Sequence, residues 1–421
     1  MKRLLGFGLC SITLVAGMSQ AQENTLDYDL GAGDTAGPLS LSGEDYGFFS
    51  HGYLRFGIGS TDGEAFTAFK LNGAASKYRL GNESDLYGEA SIGYRGALGN
   101  GSDFVAEIML NGWGDSNALD YGSDLNADGD VAQAYLGIER LGSGAMADAF
   151  LWAGRRYYRR RDVHMTDFYY ENLSGDGIGL ENVALGGVNV SAALFHYDRD
   201  DDDLEYTSTT LDLRLHDIPL WQGWKGEVGL AWIDGDGDDQ TGEDGYSVRL
   251  HAENGELPWG EWKNALMYGR GAGIDFDSKG NTAAGSDDSR VRFVTQALIK
   301  SSEDLETQAT AVWQRTDLGD DTETWVSAGV RPQYNITKDF GVALELGYDW
   351  VESDTGDPGS LSKLTLAPFY SFGKKGYFSR PQLRAFVTWA EWSDEGVISD
   401  QDAFGTATNG TTFGLQLEHW W

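Results

Sequence analysis

Tyrosine and arginine stand two residues apart in Tyr53-Leu-Arg55, and tyrosine and glutamate do so in Tyr87-Gly-Glu89. Between them, Lys77-Tyr-Arg79 spaces two cations the same way. In a strand, residues two apart share a face, so each triplet presents rings or charges together. That mixture suits a hydroxylated ring compound. A pyranose has an apolar face that lies flat on an aromatic ring, and its equatorial hydroxyls need donors and acceptors beside it. The competing reading is that these rings only pack against a folded loop.

A denser run lies at Trp152–Tyr170, with five arginines, four tyrosines, two aspartates and a histidine in nineteen residues. It reads as the end of a strand followed by a loop that turns inward. A basic, aromatic run can bind nucleic acid, but a formal net charge of −35 argues against a nucleic-acid partner. Carboxylate pairs occur throughout so acidic a chain, so they do not single out a glycosidase, and the chain reads as no enzyme. A third motif, Asp124-Leu-Asn126-Ala-Asp128-Gly-Asp130, has the spacing of the first half of a calcium loop, with Gly129 at the sharp turn. Tyr135 stands where that loop needs its bidentate acid. A weak structural calcium site and a plain acidic loop both remain open, and no cofactor is required.

The elements that must position these residues are strands. Segments of about ten residues alternate apolar with polar or small, among them Gly52–Gly59, Leu86–Tyr94, Asp103–Leu110, Val131–Ile138, Val188–His196, Val342–Trp350 and Lys363–Phe372. Some 16 to 20 such segments are expected. At the C-terminal end, Phe413, Leu415, Leu417 and His419 alternate with Gly414, Gln416, Glu418 and Trp420. Leu54, Phe56 and Ile58 should face one medium, and Tyr53 and Arg55 the other. Likewise Leu344 and Leu346 oppose Glu345 and Asp349. A mid-membrane charge on the lipid side of a barrel costs about 2–4 kcal/mol, so charges confined to one face imply lipid outside and water inside. Lipid also demands that every strand edge be paired. The fold expected is therefore all-β, a transmembrane antiparallel β-barrel. After the leader there is no apolar run of about 20 residues, as a membrane helix would need.

Residues 1–21 read as a signal peptide: Lys2 and Arg3, the apolar stretch Leu4–Ala16, and Ser19-Gln-Ala21 for cleavage. The one cysteine, Cys10, lies within it, so no disulfide is expected. Residues 22–47 read as an acidic, flexible extension, and 48–421 as the barrel. The acidic runs Asp198–Asp203, Asp234–Asp239 and Gly319–Asp321 read as solvated loops.

The segments His51–Gly59, Ser76–Glu83, Trp152–Tyr170, Leu180-Glu-Asn182, Val330-Arg-Pro332, Ser379-Arg-Pro381 and Trp420-Trp421 closely resemble the maltoporin family. The likeness runs from His51 to Trp421 and weakens between Val188 and Asp320. It implies an 18-stranded, homotrimeric porin of the Gram-negative outer membrane that passes maltose and maltodextrins along an aromatic path flanked by a polar track. By that resemblance Tyr53, Tyr87, Phe378 and Trp420 match path positions. Arg55, Arg79, Glu89, Arg160, Asp162 and Asp167 match the track, and Tyr169 the constriction. Phe378 stands where the family commonly has tryptophan. Ala132 stands where a track arginine is expected, and Asn264 near a mid-path aromatic. The family passes a tryptophan to the neighbouring subunit, for which Trp113 is the nearby candidate. These departures keep a second reading open, a porin for another oligosaccharide or one of weak selectivity. A remoter one is a secreted, calcium-dependent all-β carbohydrate-binding protein.

Overall fold

A computed structural model describes residues 46–115, 128–201, 204–237, 243–281, 283–319, 321–372 and 375–421. The leader, nearly all of the N-terminal extension, and Asp124 and Asn126 lie outside the described residues, as does the Asp128 side chain.

Strand segments follow one another along the chain, all paired antiparallel in one sheet. The first are β1 (Gly47–Phe49), β2 (Gly52–Thr61), β3 (Glu64–Ala65), β4 (Asp85–Ala97), β5 (Asp103–Asp115), β6 (Asp128–Glu139) and β7 (Phe150–Val163). Next come β8 (Phe168–Leu185), β9 (Val188–Asp201), β10 (Leu204–Pro219), β11 (Lys225–Gly237), β12 (Gly245–Leu257) and β13 (Gly260–Gly271). The last are β14 (Ser289–Lys300), β15 (Leu305–Asp317), β16 (Thr322–Asn335), β17 (Phe340–Ser353), β18 (Gly356–Ser371), β19 (Gln382–Trp392) and β20 (Asn409–Trp420). β1 pairs with β4 in the register that β2 continues, Gly47 opposite Arg95 and Gly52 opposite Ala90, so the two act as one strand. β3 is a short arm paired only with β2. The remainder close into an 18-strand barrel, with β20 returning to β2.

Each of the ten-residue alternating segments named from the sequence lies in a strand, except that Phe372 falls just past the end of β18. Ile92, Leu346, Tyr348, Phe413 and Leu415 are exposed on the outside, while Glu345, Asp349, Gln416 and Glu418, at alternate positions, are buried inside. Closure gives every strand of the barrel wall a partner on both sides, which is what hydrocarbon requires. The acidic run near residue 200 differs from expectation. β9 runs on to Asp201 and β10 resumes at Leu204, so strand pairing continues through residues expected to be loop. Beyond the membrane rim both faces of a hairpin meet water, and charge no longer opposes pairing. Short turns such as Gly186-Gly187 lie at the end where β2 begins and β20 finishes, which is the periplasmic end of such barrels.

The bore is not empty. Residues 66–84, between β3 and β4, fold inward against β16 to β20. Lys77–Leu80, expected as a strand, belongs to this loop. Its anchors come from the far wall and have no local signature: the Lys363 ammonium and the Thr365 hydroxyl donate to the Leu80 carbonyl, and Thr388 to that of Gly81. The Tyr78 ring lies on the wall at Gly329 and Gly347, where an added Cβ would come within 2.1 Å of it. Opposite, the β7–β8 hairpin also enters. Val163, Met165, Phe168 and Tyr170 cluster with Ala265, Met267, Val294 and Trp325 of β13, β14 and β16. β7 and β8 neighbour only β6 and β9 in the sheet, so these contacts must cross the interior. Register shifts at Tyr157/Arg159 and Arg161/Asp162 bend the hairpin away from the wall. The two inserts meet where the Arg79 amide donates to the Met165 carbonyl (3.2 Å).

Candidate functional site

What the inserts leave open is a cavity of about 290 Å³ between the hairpin and the inner faces of β2, β4, β6 and β20. Tyr53, Arg55, Arg79, Tyr87, Glu89, Arg160, Asp162, Asp167, Tyr169 and Trp420 all line it. Strand register explains the convergence. Tyr53 stands opposite Trp420 on one side and Glu89 on the other, and Arg55 opposite Glu418 and Tyr87.

The rings form a line. Tyr53 and Trp420 stack at 6.4 Å between centroids with planes 18° apart. Tyr87 stands 6.1 Å from Tyr53. Trp113, 43% exposed, pairs in register with Tyr87 and shares its inward face. Phe378 is not in the cavity. The His164 ring stands between it and Trp420, edge-on to both at 5.3 and 5.8 Å. The connection between β18 and β19 carries Phe378, so its place is set by packing rather than strand alternation.

Beside the rings runs a connected polar network. Arg55 donates to Asp167 and Asp85, each at 2.6 Å. Arg79 donates to Glu83 (2.8 Å) and to the Tyr53 hydroxyl, which in turn donates to Glu418 (3.0 Å). Glu418, 1% exposed, also pairs with Arg380 and Arg384. The hydroxyls of Tyr87 (2.6 Å) and Tyr157 (3.0 Å) both donate to the same oxygen of Glu89. The Arg160 guanidinium lies between the rings of Tyr157 (3.9 Å) and Tyr169 (4.2 Å). Burial opposes ionisation of Asp167, but Arg79 and Arg55 outweigh it and hold the carboxyl down at about 2. Burial pushes His164 well below its ordinary value. Glu418 opposes that, while Arg79, Arg380 and Arg331 reinforce it. A mobile hydroxylated solute would therefore meet a smooth aromatic side and fixed donors and acceptors opposite.

Sequence reading missed His51, Gln133, Tyr157 and His164, which also line the cavity. The departures at Ala132 and Asn264 resolve differently. Ala132 is the extra residue of a β-bulge, since Met109 pairs with Gln133 but Leu110 with Val131. The bulge leaves Gln133 pointing into the cavity. Asn264 shares a face with Trp262 and Leu266 on the outer wall, and its side chain accepts from Thr295 (2.9 Å). It is no position on the bore.

Of the calcium spacing, only the end is described. Gly129 is extended in β6 opposite Gly112, not at a turn, and the Asp130 carboxylate accepts from the Val131 amide (2.6 Å). Elsewhere Glu171, Glu227 and His251 bring ligand atoms within 4.8 Å of one another. Arg214 bonds both carboxylates, Arg249 stands against Glu171, and Arg159 and Arg161 pair with Glu227. A cation there would meet four guanidiniums.

A family model described as LamB porin matches residues 48–421. In fold, the chain is similar to OmpF of Salmonella typhi, solved in complex with daunomycin. The TM-score is 0.50 at 9% identity, covering 89% of this chain and 98% of that one. OccK1 of Pseudomonas aeruginosa gives 0.49 at 13% identity over 89% and 99%. The trimer form of OmpT of Vibrio cholerae gives 0.42 at 11% identity over 90% and 100%. At these identities the likeness is one of fold alone.

Proposed function

Because this chain belongs to the LamB porin family and is a β-barrel of the Gram-negative outer membrane, we propose that it is a sugar-selective pore passing maltose and maltodextrins by facilitated diffusion. The observation that carries this reading is the stacked Tyr53–Trp420 pair, with Tyr87 beside it and Arg55, Arg79 and Glu89 alongside in one cavity. A glucosyl unit lies on the rings, exchanges hydroxyl partners with the charged groups, and moves on. No covalent step is required. Like its family, the chain works as a homotrimer.

Purified protein in planar bilayers tests the reading. Maltotriose should block single-channel current at millimolar concentration or below, and sucrose should not. Current unaffected by any maltodextrin would overturn it. A second reading, a pore for another oligosaccharide, is favoured by Phe378 standing outside the cavity behind His164. Block by a different sugar class would select it.

A further inference from the structure

Tyr157 touches both Glu89 and Arg160, two polar groups that line the cavity. Its hydroxyl donates to Glu89 at 3.0 Å, onto the oxygen that Tyr87 also uses. Its ring carries the Arg160 guanidinium at 3.9 Å, with Tyr169 on the other side. Its backbone amide donates to the Gln133 side-chain oxygen (2.9 Å), and Gln133 is aimed by the bulge at Ala132. The register shift at Tyr157/Arg159 lies where the hairpin leaves the wall. Tyr157 thus sits at the point where hairpin, bulge and wall are tied together.

We propose that Tyr157 is a positioning residue for sugar selectivity, fixing the Glu89 carboxylate and the Arg160 guanidinium at the spacing that reads neighbouring hydroxyls. This rests on the sugar-pore reading above. The chemistry is directional. A carboxylate held by two phenols keeps its remaining lone pairs aimed into the cavity. A guanidinium held between two rings keeps its edge N–H groups free to donate in plane. Without the Tyr157 hydroxyl, Glu89 retains only Tyr87 and can swing.

Tyr157→Phe keeps the ring on Arg160 and removes only the hydroxyl. It should raise the half-blocking maltotriose concentration about tenfold, equivalent to about 1.4 kcal/mol, with a heat-stable oligomer like the parent's. Glu89→Gln should weaken block similarly. The double variant should lose little more than either alone, because both act through one bond. Tyr157→Phe with parental affinity, or effects that multiply fully, would overturn the proposal. Tyr53→Ala and Trp420→Ala serve as references. If they weaken block and Tyr157→Phe does not, this inference alone fails. If no maltodextrin blocks even the parent, the sugar reading fails and this inference with it.

Discussion

Under the proposed function, replacing Trp420 by alanine would isolate the aromatic contribution to sugar binding. The ring stacks on Tyr53, stands edge-on to His164, and lies under the Arg380 guanidinium at 4.3 Å. Its removal leaves the polar side in place, because Arg380 retains Glu418 at 2.6 Å and Tyr53 retains its own bond to that carboxylate. What a passing glucosyl unit loses is one face-to-face contact. Contacts of that kind between aromatic rings are worth about 0.5–1.5 kcal/mol. A loss of about 1 kcal/mol corresponds to roughly a fivefold rise in half-blocking concentration. The assay is titration of maltotriose against current through single channels, with unblocked conductance recorded in the same trace. Conductance should change little, since the charges that attract ions remain. Parental affinity would remove Trp420 from the path. A loss beyond about a hundredfold would equally refute the reasoning, because a single ring contact cannot supply it.

Tyr169→Ala takes away one of the two rings that hold Arg160, so the throat should widen and ion conductance should rise; an unchanged or lower value in a folded oligomer would contradict its placement there. Glu418→Gln removes the charge that three buried arginines share and should cost about 3–5 kcal/mol of stability, read as a lower melting temperature in detergent; parental melting would show that the network is relaxed elsewhere. Asp167 is held below its unfolded value, so its ionisation stabilises the fold fully above about pH 4, and that contribution disappears as pH falls through about 2. Asp167→Asn should therefore be less stable than the parent at pH 6 and converge with it near pH 2, as followed by tryptophan fluorescence; curves that stay parallel across that range would deny the coupling to Arg55 and Arg79.

Much of the wall was legible because two solvents leave a period-two record in the sequence. Tyr53 against Leu54 and Glu345 against Leu344 are assigned correctly from alternation alone. What escaped depends on contacts made across the bore. Lys77–Leu80 alternates like a strand, yet Lys363, Thr365 and Thr388 on the far wall hold it as a loop. The bulge at Ala132 shifts register by one residue within Val-Ala-Gln-Ala, where small side chains leave no pattern to break. Asn264 stands near an expected ring in sequence, whereas strand parity with Trp262 and Leu266 places it outside. The run from Arg159 to Arg161 announced density but not direction. Arg160 turns to the aromatic cavity, while Arg159 and Arg161 pair with Glu227 behind it.

The Tyr53–Trp420 platform straddles the seam where β2 meets β20, sealed by reciprocal backbone bonds between Gly52 and Trp421. An open sheet would own both halves of that platform and not the platform itself. Under the proposed function, carbohydrate affinity would be born in the same event that hides the last bare edges from hydrocarbon, and sugar retention would gauge whether the cylinder has shut.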